Sequence, residues 1–346
     1  MTTAATDRPT EATLRRGKVE TMMAIVQHGY GDAPESMLRF AEIPRPAIGD
    51  DEVLVRVRAA SLDRGTVHLM TGMPYLMRVM GFGFRAPKQP NPGRCLAGTV
   101  EAVGKDVSGF SHGDEIYGTC DGSFAEYATA RPALIAPMPA SLSFEQAAAV
   151  PVSATAALQA VRDKGRVHSG QQVLVIGAAG GVGAFAVQVA KAFGGVVTGV
   201  CSTAQAELVR RIGAEHIVDY TREDFADGTH RYDVILDIAG NSSLSRLRRA
   251  LTSRGTLVVV GGETDGRWIG GFDRSLRAPL LSLVVSQKLG LLASKENAED
   301  LRILRDLIES GKLTPVIDRT YPLAETAVAI THLVEGHPRG KVVVSV

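Results

Sequence analysis

The chain has 346 residues and a formal net charge of +1, which allows two domains and gives no strong field for nucleic acid or an acidic membrane. Hydrophobic residues make up 45% and charged residues 22%, the balance of an ordinary globular enzyme. Cys95, Cys120 and Cys201 are too few for a disulfide framework or a cysteine-rich zinc lobe, and they fit a reducing cytoplasm. No apolar run is long enough to span a bilayer, so we expect no membrane partner.

The first part of the chain has the texture of a small β domain. Residues 1–21 lack the apolar stretch of a secretory signal, and we expect a disordered tail there. From residue 22 to about 136, short runs rich in Val and Ile alternate with Gly- and Pro-rich turns. This texture predicts an antiparallel, β-barrel-like domain with strands at 22–27, 52–60, 97–103, 115–118 and 124–129.

The texture changes near residue 143, where an Ala-rich helix is predicted at 144–164 and strands and helices then alternate. Alternation at this spacing predicts a parallel, doubly wound sheet, and the apolar run QQVLVIG suits a central strand. A loop and a helix are predicted at 268–292, before the chain returns to β texture. We therefore predict a cofactor-binding domain at 146–289 and a catalytic domain made of 22–145 and 290–346.

The turn after the first parallel strand carries the clearest functional motif. In AAGGVG (178–183), Gly180 and Gly183 match the last two glycines of a G-x-G-x-x-G fingerprint. Small residues are needed because a diphosphate must touch backbone N–H groups at the helix N-terminus. A plain tight turn is the alternative, but an apolar strand before the motif and an apolar helix after it favour a dinucleotide site. We expect Gly180, Gly181, Val182 and Gly183 to bind the cofactor.

The end of the second parallel strand indicates which cofactor binds. Residues 200–203 contain no Asp or Glu to hold a ribose 2′-hydroxyl, whereas Ser202 or Thr203 would hydrogen-bond a 2′-phosphate. This favours NADPH over NADH. Arg210 and Arg211 lie nearby in sequence, or they are solvated helix residues.

With these residues, the chain resembles the medium-chain dehydrogenase/reductase superfamily, most of all its zinc-free quinone oxidoreductase branch. The resemblance implies a GroES-like β domain followed by a Rossmann domain, with the carboxyl-terminal segment returning to the first. The motifs that carry it are AGTVEAVG (97–104), GDEIYG (113–118), GSFAEYA (122–128), AAAVPVSATAALQA (147–160), AAGGVG (178–183), GAEHIVDY (213–220) and RGKVVV (339–344).

The resemblance also argues against zinc. The positions that match the zinc ligands of alcohol dehydrogenases are Asp63, Arg94 and Pro151, and Arg and Pro cannot ligate the metal. We therefore expect a zinc-independent oxidoreductase that passes hydride to a small hydrophobic quinone or α,β-unsaturated carbonyl, with hydrogen bonds stabilising the oxyanion. The alternatives are an alcohol, aldehyde or enoyl-thioester substrate, or a non-catalytic NADPH-binding protein.

Residues 59–68 correspond to the family's active-site strand and helix. Quinone oxidoreductases commonly carry Asn where Asp63 stands and often Tyr where His68 stands. We hypothesise that His68, with Asp63, donates a proton to the reduced substrate, since imidazole groups exchange protons near neutral pH. The alternative is that His68 only hydrogen-bonds a ribose hydroxyl or lies on the rim of the cleft.

The remaining cofactor contacts follow from the resemblance. Residues 237–240 end a parallel strand and are expected to line the crevice through Ala239. The other implied contacts are Thr155 beside the nicotinamide, Tyr220 at the adenosine end, Gly261 and Gly262 in the nicotinamide wall, and Arg339 at a phosphate. Ordinary roles stay open for three of them: helix packing for Thr155, strand-end packing for Tyr220 and a surface position for Arg339.

Two further expectations concern surfaces. Residues 73–84 (MPYLMRVMGFGF) would roof a hydrophobic substrate pocket, pack as an ordinary helix or meet a partner. The resemblance implies a homodimer that pairs sheet edges near residues 256–260.

Overall fold

The computed structural model of the protein describes residues 20–79, 83–261, 268, 272–335 and 338–346. The tail predicted at 1–21 lies outside these residues except for its last two, and Thr21 already begins the first strand.

The amino-terminal part forms β1 (Thr21–Gln27), α1 (Pro34–Met37), β2 (Leu38–Pro44), β3 (Val53–Leu62), α2 (Arg64–Thr71), α3 (Tyr75–Met77), β4 (Cys95–Val103), β5 (Glu115–Thr119), β6 (Tyr127–Ala130) and β7 (Ile135–Pro137). The middle forms α4 (Phe144–Ala148), α5 (Pro151–Gln159), β8 (Gln172–Ile176), α6 (Gly183–Ala192), β9 (Val196–Cys201), α7 (Ala206–Arg211), β10 (His216–Asp219), β11 (Tyr232–Asp237), α8 (Leu244–Ala250), β12 (Leu251–Val259), α9 (Phe272–Ser282) and β13 (Lys288–Leu291). The last part forms α10 (Ala298–Glu309), β14 (Ile317–Pro322), α11 (Thr326–Glu335) and β15 (Lys341–Ser345).

One sheet is mostly antiparallel. Its seven strands run in the order β14-β15-β3-β4-β5-β7, with β6 also paired to β3, while β1 and β2 form a separate antiparallel pair. Strand β15 pairs antiparallel with β3 and parallel with β14, so the last strands of the chain belong to this sheet. The turn-rich, antiparallel texture of the first part is confirmed, and the parallel pair at its edge is a feature that the alternation pattern did not predict.

The second sheet is parallel and doubly wound. Its six strands run in the order β10-β9-β8-β11-β12-β13, and every neighbouring pair is parallel. Val173 and Val175 of β8 pack in one core cluster and Leu174 and Ile176 in another, so β8 is buried on both faces. Each such side chain contributes about 1.5–3 kcal/mol on burial. The strand order reverses between β8 and β11, and we call the space beyond the carboxyl ends of β8, β11 and β12 the crevice.

The helix predicted at 144–164 is three shorter pieces in the structure. Helix α4 ends before Pro151, α5 begins there, and residues Ala160–Gly165 form a π-helical turn. The break has a local cause, since proline lacks the N–H that would continue a helix and is favoured at a first helical position.

The predicted sheet edge was wrong. Residues 256–259 belong to β12, and the edge strand is β13, which lies within the predicted loop and helix at 268–292. The sequence KLGL has no β-branched residue, so β13 exists because β12 offers it a hydrogen-bonding partner. Within the described ranges, no helix is both long and apolar enough to cross a bilayer.

Candidate active site

The turn between β8 and α6 brings main chain to the crevice. Gly177 has a φ of +85°, a left-handed conformation that favours glycine. A Cβ on Gly183 would lie 2.0 Å from the carbonyl oxygen of Gly177, so only glycine lets α6 begin this close to the strand. A Cβ on Gly180 would have its nearest neighbour 3.5 Å away, which leaves room on that side of the turn. The first N–H groups of a helix have no intrahelical acceptor, and they can therefore bind an anion.

The carboxyl-terminal segment packs directly against this turn. Gly340 forms a parallel β-bridge with Gly180. The next residue, Lys341, is 2% exposed. Its ammonium group donates hydrogen bonds to the carbonyl oxygen of Leu62 at 2.6 Å and to the hydroxyl of Ser153 at 3.0 Å. The antiparallel sheet therefore supplies a cation beside the glycine turn.

Lys341 is a buried cation whose two hydrogen-bond acceptors are neutral oxygens. Its Cδ lies 3.2 Å from the position that a Cβ on Gly181 would take. A buried charge is costly without an opposite charge, so an anion beside the turn would stabilise this ammonium group. Arg339, the residue predicted to reach a phosphate, is exposed. Sequence reasoning missed Lys341, although the RGKVVV motif contains it.

Thr155 lies on α5 and is fully buried. Its hydroxyl has no hydrogen-bond partner within the described part of the chain. This contradicts the alternative in which the hydroxyl bonds its own helix backbone. Buried hydroxyl groups nearly always have a partner, so this hydroxyl is an exception within the described residues.

The ends of β11 and β12 form a wall of the crevice. A Cβ on Gly261 would lie 2.0 Å from the carbonyl oxygen of Ile238, so the two strand ends approach as closely as glycine permits. The half-buried Ala239 donates its N–H to the carbonyl oxygen of Ile176 at 3.1 Å, which joins this wall to β8. Gly262 lies outside the described residues.

A buried ion pair holds α9 against the same wall. Asp237, the last residue of β11, is fully buried and accepts hydrogen bonds from Arg274 of α9 and from the N–H of Gly240. Arg274 also donates to the carbonyl oxygen of Gly240. Burial raises the pKa of Asp237, while Arg274 and the Gly240 N–H oppose that rise. Sequence reasoning placed residues 237–240 at the crevice but did not find Arg274, which is distant in sequence.

The strand end at residues 200–203 lies beside a carboxylate that sequence reasoning did not find. Ser202 is half-buried, Thr203 is exposed and Tyr220 is 60% exposed. The Thr203 hydroxyl donates to Asp219, and Thr221 donates its hydroxyl at 2.7 Å and its N–H at 3.0 Å. These hydrogen bonds, that of Thr203 first, lower the pKa of Asp219.

Strand pairing explains why this carboxylate was missed. The strand end at 200–203 has no acid of its own, but β10 pairs with β9 and sets Asp219 opposite Cys201. The nearby Arg210 forms an ion pair with Glu207 at 3.3 Å and is 60% exposed, as the solvated-helix alternative describes.

Asp63 is the N-cap of α2 and His68 lies in the last turn of that helix, and each has other partners. Asp63 caps the helix by accepting the N–H of Thr66 at 2.9 Å, and its other carboxylate oxygen lies 4.0 Å from the thiol of Cys95. The Nδ1 atom of His68 is 2.9 Å from the carbonyl oxygen of Met73, which leaves Nε2 as the ring atom free of that contact. The structure brings both residues to one helix without a hydrogen bond between them in the described chain.

The three positions that match zinc ligands contain groups of different chemistry. Asp63 is the helix cap, Pro151 begins α5, and Arg94 forms an ion pair with Glu296 at 3.1 Å. Burial by itself lowers the pKa of Arg94, but Glu296, Cys95 and Asp63 outweigh it and the pKa is raised. Within the described ranges, no group of three or more His, Cys, Asp or Glu side chains could hold a metal ion. Sequence reasoning did not predict the Glu296 partner.

Comparisons with known proteins match both parts of the chain. Residues 49–140 match the family described as Alcohol dehydrogenase GroES-like domain, and residues 212–344 match Zinc-binding dehydrogenase. The chain is 32% identical to 2-methylene-furan-3-one reductase of Solanum lycopersicum, over 86% of this chain and 73% of that protein. It is 31% identical to NADPH-dependent alkenal/one oxidoreductase, chloroplastic, of Arabidopsis thaliana, over 93% of this chain and 79% of that protein.

A solved structure agrees over almost the whole chain. The quinone oxidoreductase from Coxiella burnetii superposes with a TM-score of 0.83 at 28% identity, over 94% of this chain and 100% of the other. Together with the strand order and the glycine turn, these matches confirm both the fold and the resemblance. The chain belongs to the medium-chain dehydrogenase/reductase superfamily of oxidoreductases, in its quinone-oxidoreductase-like branch.

Proposed function

We propose that this protein is an NADPH-dependent, zinc-independent reductase of quinones and α,β-unsaturated carbonyls. One observation carries the proposal: Lys341, a buried cation whose two hydrogen-bond acceptors are neutral oxygens, packs beside the glycine turn. Relatives named for the reduction of quinones and alkenals support this substrate class.

The residues present fit a nicotinamide dinucleotide. The amides of Gly180, Gly181, Val182 and Gly183, with Lys341, would hold the diphosphate. Arg339 would add a second, exposed cation at the phosphates. The unpaired Thr155 hydroxyl would hydrogen-bond the nicotinamide beside a wall of Ala239, Gly261 and Gly262. At the other end Ser202, Thr203 and Tyr220 would contact the adenosine.

When bound, the reduced nicotinamide supplies the hydride. Negative charge then develops on the acceptor's oxygen, and a preorganised donor stabilises it more than water can. Arg94 is cationic, is held by Glu296 and has a side chain that is 38% exposed, so its remaining N–H groups suit that oxyanion. His68 would hold the proton that neutralises the product, and Asp63 would orient α2 as its cap. No metal is required for this chemistry.

The cofactor preference rests on the strand end at residues 200–203. Two hydroxyl groups there favour a 2′-phosphate, and Tyr220 presents an exposed ring beside them. The Asp219 carboxylate opposes a 2′-phosphate, and the Thr203 hydroxyl would have to turn from Asp219 to donate to that phosphate. We expect tighter binding of NADPH than NADH in calorimetric titrations, and a preference that increases in Asp219→Asn. Tighter binding of NADH to the unmodified protein would contradict the assignment.

We also propose a homodimer joined at the β13 edge. The end of α9 and the connection that leads to β13 expose three aliphatic side chains, Leu280, Leu283 and Val284, at 66%, 81% and 79%. Sedimentation should give a dimer that Leu283→Glu dissociates. Two assignments follow from the sequence and stay predictions: a cytoplasmic location, which suits three buried free cysteines, and domains of 22–145 with 290–346 and of 146–289.

The deciding experiment combines turnover with metal analysis. Purified protein would be given NADPH or NADH with quinones, enones, simple aldehydes and enoyl thioesters, and its metal content measured by mass spectrometry. We expect NADPH oxidation with quinones and enones, and no stoichiometric zinc. Turnover confined to aldehydes or enoyl thioesters would show that these compounds, and not quinones and enones, are the substrates. Tight NADPH binding without turnover would indicate a non-catalytic protein.

A further inference from the structure

Two aromatic side chains from segments far apart in the chain pack against each other, and we call this contact the entrance. The rings of Tyr75 and Trp268 pack edge to face with centroids 5.3 Å apart, and the Leu76 N–H donates to the carbonyl oxygen of Trp268 at 3.3 Å. Tyr75 belongs to α3, just after the helix that carries His68. Trp268 follows the crevice wall that ends at Gly261. The contact therefore joins the segment that follows His68 to the segment that follows Gly261.

Tyr75 is held in place from behind by a cation. The guanidinium of Arg78 lies 4.8 Å from the Tyr75 ring centroid and 4.3 Å from that of Tyr30. Arg78 also donates hydrogen bonds to the carbonyl oxygens of Gly72 at 2.7 Å and Thr71 at 3.1 Å. These contacts orient the ring before any ligand arrives, so little conformational entropy is lost when something packs against it.

The same entrance exposes large apolar surface. Trp268 is 75% exposed and Val79, four residues after Tyr75, is 74% exposed. Tryptophan is usually well buried, and exposed apolar groups on both sides of an opening mark a surface that a ligand covers. The entrance is also joined to the candidate proton donor, because His68 contacts the carbonyl oxygen of Met73, two residues before Tyr75.

We propose that Trp268 and Tyr75 bind the apolar body of the hydride acceptor, so that the enzyme selects acceptors with alkyl or aryl substituents over small ones. This proposal rests on the proposed reductase function. It assigns specificity to two residues that lie beyond the reacting atoms. Aromatic rings suit this task, since they offer large contact area with few rotatable bonds.

The first test compares acceptors that differ only in length. With α,β-unsaturated aldehydes of increasing chain length, kcat/KM should rise by up to about fourfold for each methylene that reaches the entrance. Trp268→Ala and Tyr75→Ala should flatten this dependence, and Trp268→Phe should keep most of it. Phe40→Ala is the matched control, because Phe40 is an aromatic residue on β2 that is 45% exposed. A slope that is the same in all four variants would overturn the proposal and leave the reductase function intact.

A second test needs no turnover, because Trp268 is the chain's single tryptophan. A long-chain saturated ketone, titrated into protein loaded with NADP⁺, should shift the tryptophan emission to shorter wavelength. Acetone should produce no shift, and Tyr75→Ala should weaken the ketone's affinity. No shift with the long ketone would overturn the proposal whatever the activity assay shows. An emission already shifted in the free protein, and dependent on protein concentration, would also overturn it by showing that a second copy covers Trp268.

Discussion

The two sides of the crevice are built in different ways. The side proposed to bind the dinucleotide is centred on the main chain of one short stretch, 177–183, where a single added methyl group on the last glycine would meet a carbonyl oxygen at 2.0 Å. The side proposed to be catalytic is made of side chains from segments far apart, and its Arg94 and Glu296 are separated by 202 residues. The first construction tolerates little change of shape. The second can change its chemistry while the backbone stays the same, so one fold can carry different reactions.

The contrast predicts its largest effect at Gly183. In Gly183→Ala the methyl group must displace the Gly177 carbonyl, and we expect the Kd for NADPH to rise by about a hundredfold or more. Gly180→Ala is the matched variant. Because its methyl group would meet nothing closer than 3.5 Å, this variant should melt at the same temperature as the wild type. Calorimetric titration and thermal denaturation measure both. Wild-type affinity in Gly183→Ala would mean that the turn does not form the dinucleotide site.

On the catalytic side, His68→Ala tests whether an imidazole supplies a proton. If it does, kcat should fall by about a hundredfold, and the part of the pH–rate profile that depends on a protonated acid should disappear. His112→Ala is the control, because that ring makes the same kind of contact, 2.9 Å to the Glu101 carbonyl oxygen, at an exposed site. Unchanged rates across the pH range would refute the catalytic role and leave His68 at the rim.

Lys341 belongs to both constructions, since a side chain of the antiparallel sheet reaches the main-chain turn. In Lys341→Gln the loss of one charged contact to a diphosphate should weaken NADPH binding about tenfold and reduce its dependence on salt. The exposed Arg339→Gln should have a smaller effect. Calorimetric titrations of both variants with NADPH at two ionic strengths measure each loss of affinity and its dependence on salt. An equal loss in both variants would show that the general field, rather than the buried ammonium, attracts the cofactor.

The smallest effect is expected where α5, which carries Thr155, is joined to α10. Asp300 is 3% exposed and accepts hydrogen bonds from Gln159 at 2.7 Å and Arg162 at 2.7 Å. Burial alone would raise the pKa of Asp300, but Arg162, Gln159 and Asn297 outweigh it and the folded pKa is lowered. Its stabilising contribution is therefore complete above the ordinary aspartate pKa of about 3.9 and is lost as the pH falls toward the lowered value.

Asp300→Asn should accordingly reduce the free energy of unfolding by about 1 kcal/mol near neutral pH. The difference from wild type should shrink below about pH 4. Urea titrations over a series of pH values measure both, with the exposed Asp306→Asn on the same helix as control. A difference in the free energy of unfolding that grows as the pH falls would contradict a lowered pKa of Asp300 in the folded protein.

The sequence by itself determined what depends on neighbours along the chain. The apolar run of β8 required burial on both faces, and its alternation with helices led to a parallel, doubly wound sheet. The glycines of the turn were recognisable because their function is steric and local. The unsuitability of Arg94 and Pro151 as zinc ligands followed from residue chemistry once the resemblance had matched these positions to the ligands. Pro151 by itself indicated a break in the predicted long helix. This local signal was overlooked because the residues around it have a helical pattern.

Only the tertiary structure decided which distant residues meet. Lys341 reaches the glycine turn because β15 joins β3, and Asp219 reaches Thr203 because β10 pairs with β9. Glu296 meets Arg94, and KLGL becomes the edge strand β13, for the same reason. Contacts of this kind depend on packing and hydrogen bonding between elements, and no local pattern in the chain specifies them.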